Sequence, residues 1–184
     1  MSRRKKTMVS KFFAFLDRMK LIDRWALMRN TAVEDVAQHT MQVAMIAHAL
    51  CVIENALYGG KLDANRAAVL ALYHESAEVV TGDLPTPVKY YDQAINRAYK
   101  NIESRAEQKL IDTLPDELKN AFAPFVKADK GEREYDFVKR ADKLSALIKC
   151  VEELAVGNNE FKNAYDATLK SLQDVSERSV KYFM

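Results

Sequence analysis

Apolar positions recur along this chain at spacings of three and four, and no segment alternates with the two-residue period of a strand. The pattern predicts helix after helix. Residues 9–20 carry Phe12, Phe13, Phe15, Leu16 and Met19. Thr31 and Glu34 have capping-box spacing, and a long helix to about residue 57 follows them. One of its faces holds Val36, His39, Val43, Ile46 and Leu50. The other holds Met41, Ala44, Met45, His48 and Val52, so both faces are apolar and the helix is expected to run through the middle of the domain. Gly59-Gly60 turns the chain, and Asp63 is placed to cap a helix over 64–80. Thr81-Gly82-Asp83 breaks that run, and Pro85 and Pro87 prevent its continuation. Further helices are expected over 92–113, over 115–126 with Pro115-Asp116-Glu117 at its start, and over 135–156 until Gly157-Asn158-Asn159 stops it. A last amphipathic helix leads towards Tyr182-Phe183. The fold class is all-α, one compact helical domain over 1–184, with no internal repeat.

Composition narrows this picture. Hydrophobic residues make up 48% of the chain, with 5 Gly and 4 Pro, which argues against disorder and against a turn-rich β fold. A net charge of +2 creates no field that calls for a nucleic-acid polymer. Cys51 and Cys150 lie in apolar helical runs without metal-ligand spacing and read as reduced thiols of a cytoplasmic protein. No apolar stretch is expected to approach the roughly 20 residues of a membrane span. Arg3-Arg4-Lys5-Lys6 lacks a signal-peptide apolar core behind it, so residues 1–7 are expected to form a mobile basic arm.

The chemistry concentrates between Tyr73 and Lys89. On a continuous helix His74 and Glu78 share one face with Ala67, Leu70 and Ala71, whereas Glu75 points about 100° away and reaches the same point only from the side. Ionisable groups on an apolar face need partners or a cation. Either this is a helix end with a satisfied core histidine and solvated acids, or it is a metal site. Of the two histidines on the long helix, His39 is the ligand candidate because the acid-rich helix bearing His74 can meet it, and His48 reads as a packed core residue. Asp142 lies at the edge of its helix, where small Ser145 and Ala146 leave room for an approach. Together His39, His74, Glu75 and Asp142 form a mixed nitrogen and oxygen set, without thiolates, that suits a divalent transition metal. Glu78 could orient or deprotonate water, or protonate a leaving group. Trp25 beside Arg24 reads either as a core plug with a solvated neighbour or as an aromatic wall beside a guanidinium, suited to a sugar or base joined to phosphate.

Spacing of the ligands alone is unspecific, but their ordered set and its flanks resemble the HD-domain superfamily of metal-dependent phosphohydrolases. Within it the chain is similar to the YfbR-type 5'-deoxynucleotidases from about Phe12 to Phe183. The likeness rests on Leu21-Ile22-Asp23-Arg24-Trp25, Gln38-His39, Gln42-Val43-Ala44-Met45, Tyr73-His74, the run Thr81-Gly82-Asp83-Leu84-Pro85-Thr86-Pro87-Val88-Lys89, Ala141-Asp142, and the E-E-L-A-V-G-N-N-E-F run at 152–161. The resemblance implies an all-helical HD fold with a central metal site, and hydrolysis of deoxyribonucleoside 5'-monophosphates with one divalent ion such as Co or Mn. It implies that His39, His74, Glu75 and Asp142 hold the metal and that Glu78 assists catalysis. Arg24 would grip phosphate, Trp25 would crowd the sugar, Asp83 would sit by it, and Lys89 would lie near the phosphate. It also implies a homodimer. Where the superfamily has His-Asp, this chain has His74-Glu75, a carboxylate one methylene longer, displaced by roughly 1.5 Å. Two other functions fit the residues less fully: an HD-type phosphohydrolase acting on a different nucleotide, and a non-catalytic nucleotide-binding module.

Overall fold

The structure, a computed structural model, describes residues 11–89 and 91–184, so the basic arm expected at 1–7 lies outside the described residues. Helix α1 (Lys11–Leu16) passes directly into a 3-10 turn (Asp17–Leu21). The central elements follow as α2 (Val36–Tyr58), α3 (Ala64–Tyr73), the single turns α4 (Glu78–Thr81) and α5 (Thr86–Lys89), α6 (Gln93–Asp112), α7 (Asp116–Val126) and α8 (Arg133–Ala155). A 3-10 turn (Asn159–Phe161), α9 (Lys162–Gln173) and α10 (Arg178–Phe183) complete the chain. Among the described residues there is no strand, only one isolated antiparallel bridge between Asp23 and Asp35.

Helix α2 packs chiefly against α3 and α8 and forms the axis of the domain. Its start differs from the expected Thr31–Glu34 box. Asp35 is the cap: its Oδ1 accepts from Gln38 N at 2.8 Å, and Gln38 Oε1 accepts from Asp35 N at 3.1 Å. Thr31 and Glu34 are drawn elsewhere by tertiary partners, described below. At the far end Gly59 adopts φ 74, the left-handed conformation that closes a helix. Asp63 and Asp92 cap α3 and α6 through bonds from Arg66 N and Ile95 N.

Two apolar clusters share this axis. One joins Val43, Ala47 and Leu50 of α2 to Leu70, Phe137, Leu144, Leu172 and Val180. The other joins Val36, at the start of α2, to Phe12, Met19, Val79, Leu110 and Leu114, with Tyr73 and Phe122 packed against it. Ring contacts between Phe12, Tyr73 and Phe122, 5.4–6.3 Å between centroids, bind α1, α3 and α7 together. His39 lies between Val36 and Val43, and His74 between Ala71 and Val79. Both therefore sit at the junction of the two clusters.

Two expectations for α2 are corrected. By length and composition it is apolar enough to cross a membrane, with a hydropathy of 1.4, so the chain does contain a stretch of that kind. Its buried residues nonetheless form the protein core. On the face bearing Met41, Ala44, Met45, His48 and Val52 only Ala44 joins the core, and the other four are exposed.

Leu70 is fully buried where α3 meets the first cluster. Leu70→Ala should lower the unfolding free energy by about 2–5 kcal/mol. Ile102→Ala, on the exposed side of α6, should change it by less than about 0.5 kcal/mol. Urea titration monitored by circular dichroism measures both.

Candidate metal centre and its flanking loop

The helix expected over 64–80 is interrupted at the residues that matter. After Tyr73 the backbone tightens into successive three-residue turns, with Ser76 N bonded to Tyr73 O and Glu78 N to Glu75 O, both at 3.0 Å, before α4 resumes. The simple four-residue relation between His74 and Glu78 is therefore lost. In exchange Glu75 swings towards His74, and its Oε1 lies 3.3 Å from His74 Nε2. His74 Nδ1 lies 2.7 Å from Ala71 O. That carbonyl can only accept, so the proton sits on Nδ1 and the Nε2 lone pair is free.

From three elements, His39, His74, Glu75 and Asp142 bring one ligand atom each to within 4.8 Å of one another. Both imidazole side chains are fully covered, and their rings lie 5.5 Å apart. His39 Nε2 is 3.1 Å from Asp142 Oδ1, yet neither Nε2 has an aligned hydrogen bond. Buried nitrogen atoms without partners are costly. Here both converge with two carboxylates that keep 21% and 25% of their side chains exposed. Such a half-open nitrogen and oxygen set fits a divalent cation with positions left for water and substrate.

His39 Nδ1 has two neighbours with opposite demands. Arg24 Nη1, at 2.6 Å, can only donate to it. Ser145 Oγ, at 3.0 Å, gives its own proton to Gln42 Oε1 and can accept from Nδ1. Ligation through Nε2 uses the second arrangement, with the proton on Nδ1. Around this centre, burial and then the charges of Glu75 and Asp83 push Glu78 up to about 10. Burial lowers His74 and favours its neutral, ligating form. Asp83 is raised by burial, against the opposing charges of Arg24 and Lys89. Lys89 is tied to Glu103 at 2.9 Å with its ammonium over the Tyr99 ring. Lys139, one turn before Asp142, comes within 3.8 Å of its Oδ2.

Beside the ligands, residues 22–35 form a loop that carries Arg24 and Trp25. Its two ends pair, Arg24 N to Glu34 O at 2.9 Å and Val36 N to Ile22 O at 3.0 Å. Trp25 has φ 61, the one positive value among non-glycine residues described, and such a conformation costs about 1–3 kcal/mol. The indole is half-buried and tilted against Phe161 at 5.3 Å between centroids.

The E-E-L-A-V-G-N-N-E-F run holds this loop in place. Glu153, 1% exposed, accepts from Thr31 N and Oγ1, from Ala32 N and from Asn158 Nδ2 at 2.8–3.4 Å, and it is paired with Lys149. Lys149 also donates to Ala32 O, and Asn158 to Arg29 O. The sequence marks Glu34 only as a helix-capping residue and gives Glu153 and Lys149 no role of their own. A signal was there: Asp142, Ser145, Lys149 and Glu153 follow one another by three or four residues, a polar stripe along one face of α8.

The pattern of the YfbR-like family, described as 5'-deoxynucleotidase YfbR-like, matches residues 11–184. Proteins named 5'-deoxynucleotidase YfbR from Salmonella paratyphi B and Salmonella newport are each 52% identical over 176 residues, covering 95% of this chain and 88% of theirs. A crystal structure of an HD-domain phosphohydrolase from Listeria innocua superposes with a TM-score of 0.84 at 25% identity, over 94% of this chain and 84% of that one. A cyanophage S-2L HD phosphohydrolase, bound to dA and one catalytic Zn2+ ion, has a TM-score of 0.62 at 16% identity, covering 99% and 95%, and shares the fold.

Hydrogen bonds and Lys149 hold the Glu153 carboxyl well below the usual carboxylate range, against the burial that would raise it. A depressed folded-state value contributes stability above the unfolded value, about 4.3, and loses it as pH falls through the folded one. Glu153→Gln leaves Lys149 buried without its counter-charge and should destabilise the protein by about 3–5 kcal/mol at neutral pH. The difference from wild type should shrink steadily below about pH 4. Thermal or urea unfolding across pH measures it.

Proposed function

This chain belongs to the YfbR-like 5'-deoxynucleotidase family, and we infer that it is a metal-dependent 5'-nucleotidase that hydrolyses deoxyribonucleoside 5'-monophosphates to deoxyribonucleosides and phosphate. The observation that carries this reading is the meeting of His39, His74, Glu75 and Asp142, with both Nε2 atoms unpartnered, beside a loop that presents a guanidinium and an indole side by side. These four residues would hold one divalent transition metal ion, Co, Mn or similar, which when bound supplies a Lewis acid that acidifies water and draws charge from a phosphoryl oxygen.

The chain's own residues do the rest. Arg24 offers a planar set of donors matched to phosphate oxygens. Glu78, one short turn beyond Glu75 and buried beside it, is placed to relay the proton that must leave water and reach the 5'-oxygen as the P–O bond breaks. Trp25, rigid and held at φ 61, walls the sugar on one side. Asp83, within electrostatic reach of Arg24, is placed to accept from the 3'-hydroxyl. Lys89 adds positive charge near Asp83 and Glu75 while anchored to Glu103.

Glu75 in place of the commoner aspartate is accommodated by the tightened turn at 74–77, which turns its longer side chain back towards His74. We assign the enzyme to the cytoplasm, with both cysteines as reduced thiols; burial lifts Cys51 to about 12 and Cys150 to about 11, which keeps them unreactive. A second copy of the chain suits the exposed apolar stripe of Met41, Met45 and Val52, and the mass in solution is its check.

Two measurements test the reading. Chelation should abolish phosphate release, and His74→Ala should lower metal affinity by more than the about 10–100-fold that follows loss of an outer-shell partner. Glu75→Asp should shift metal affinity; unchanged affinity would place Glu75 outside the ligand set. For the sugar, an unpaired buried hydroxyl costs about 1–3 kcal/mol, so wild type should prefer dAMP to AMP by about tenfold to a hundredfold in kcat/KM. Trp25→Ala should narrow that ratio chiefly by improving AMP, and Asp83→Ala should weaken both substrates. A large preference surviving in Trp25→Ala would rule out the steric wall.

A further inference from the structure

Glu34 has no part in the chemistry just described, yet it touches three of the groups that carry it. Its Oε2 accepts from Arg24 Nη1 at 3.1 Å and from Trp25 Nε1 at 2.9 Å, so one oxygen serves both the guanidinium and the indole. Its Oε1 lies 3.8 Å from His39 Nδ1. The carboxylate is only 14% exposed, and its own backbone oxygen accepts from Arg24 N. Arg24 is otherwise drawn to His39, whose Nδ1 lies 2.6 Å from its Nη1. Trp25 is otherwise held by ring contact with Phe161 and by a backbone conformation that an L residue resists.

We propose that Glu34 is a positioning residue that sets Arg24 and Trp25 side by side, so that the phosphate grip and the discrimination between sugars are held by one shared carboxylate. Two donors on one charged oxygen fix each other's direction as well as their own. Release of that oxygen frees the indole to turn about its side-chain bonds and opens the space beside the sugar. It also leaves Arg24 to His39, away from an incoming phosphate. The inference rests on the roles given above to Arg24 and Trp25.

Trp25 is the single tryptophan of the chain, so its fluorescence reports the anchor without reference to activity. In the full-length protein, Glu34→Ala should make Trp25 more accessible to acrylamide and weaken inhibition by inorganic phosphate. It should also narrow the dAMP to AMP ratio of kcat/KM by about tenfold, the scale of one charge-assisted hydrogen bond. Glu34→Gln keeps an acceptor of the same shape without the charge. It should restore the shielding of Trp25 but not the sensitivity to phosphate, and it keeps the test open if the alanine variant folds poorly. Trp25→Phe, which removes the indole N–H together with part of the ring but leaves Glu34 its charge, should narrow the sugar ratio and leave phosphate inhibition near wild type. The proposal is overturned if Glu34→Ala leaves both quenching and phosphate inhibition at wild-type values, or if its losses follow a parallel fall in Mn2+ affinity. A wild-type enzyme that does not distinguish dAMP from AMP would instead overturn the role of Trp25 as a sugar wall, while quenching and phosphate inhibition would still decide the role of Glu34.

Discussion

Two buried imidazole nitrogens without hydrogen-bond partners govern this structure. His39 and His74 occupy the junction of two apolar clusters, where an unsatisfied polar atom costs about 1–3 kcal/mol. A core that tolerates two such atoms, with two carboxylates aimed at the same point, stores the means to hold a cation. Several of their neighbours serve their orientation. The Ala71 carbonyl settles the tautomer of His74, Ser145 and Gln42 offer the same to His39, and the three-residue turns at 74–77 bring Glu75 round to face both.

A second constraint lies in the loop over residues 22–35. It presents Arg24 and Trp25 to the ligands but has no regular structure of its own, and at Trp25 it adopts a backbone conformation that costs free energy. Loops held this way need anchors from outside. Glu153 supplies them from α8, with Thr31, Ala32 and Asn158 all turned to one buried carboxylate and Lys149 balancing its charge. Helices α2 and α8 and the turn after α3 thus carry the four clustered side chains, and a strained loop, tied to α8, carries Arg24 and Trp25. Since Asp142 and Glu153 both belong to α8, the cation site and the loop share one rigid frame.

Helix α2 also shows how one element answers to two surroundings. Its inner face lies in both clusters, while Met41, Met45 and Val52 stand exposed on the outer side.

Much of this was legible in the chain itself. Helical periodicity, the cap at Asp63, the stop at Gly157 and the break after Thr81 rest on interactions within a few residues, so local sequence suffices to determine them. The ligand types His39, His74, Glu75 and Asp142 were legible too, and the structure brings those four together. What the tertiary structure decided were choices between locally equivalent options. Thr31-x-x-Glu34 and Asp35-x-x-Gln38 both have cap spacing, and the second one caps α2 because Glu153 claims Thr31 and Arg24 with Trp25 claims Glu34. His39 and His48 both sit on apolar faces, and only packing against α3 and α8 buries the first and exposes the second. The helix through His74 is continuous by periodicity, yet its backbone tightens there. Local propensity differs by only tenths of a kcal/mol between such alternatives, whereas a buried carboxylate with several donors, or an imidazole placed in a core, is worth several times more, and that difference exists only after distant segments meet.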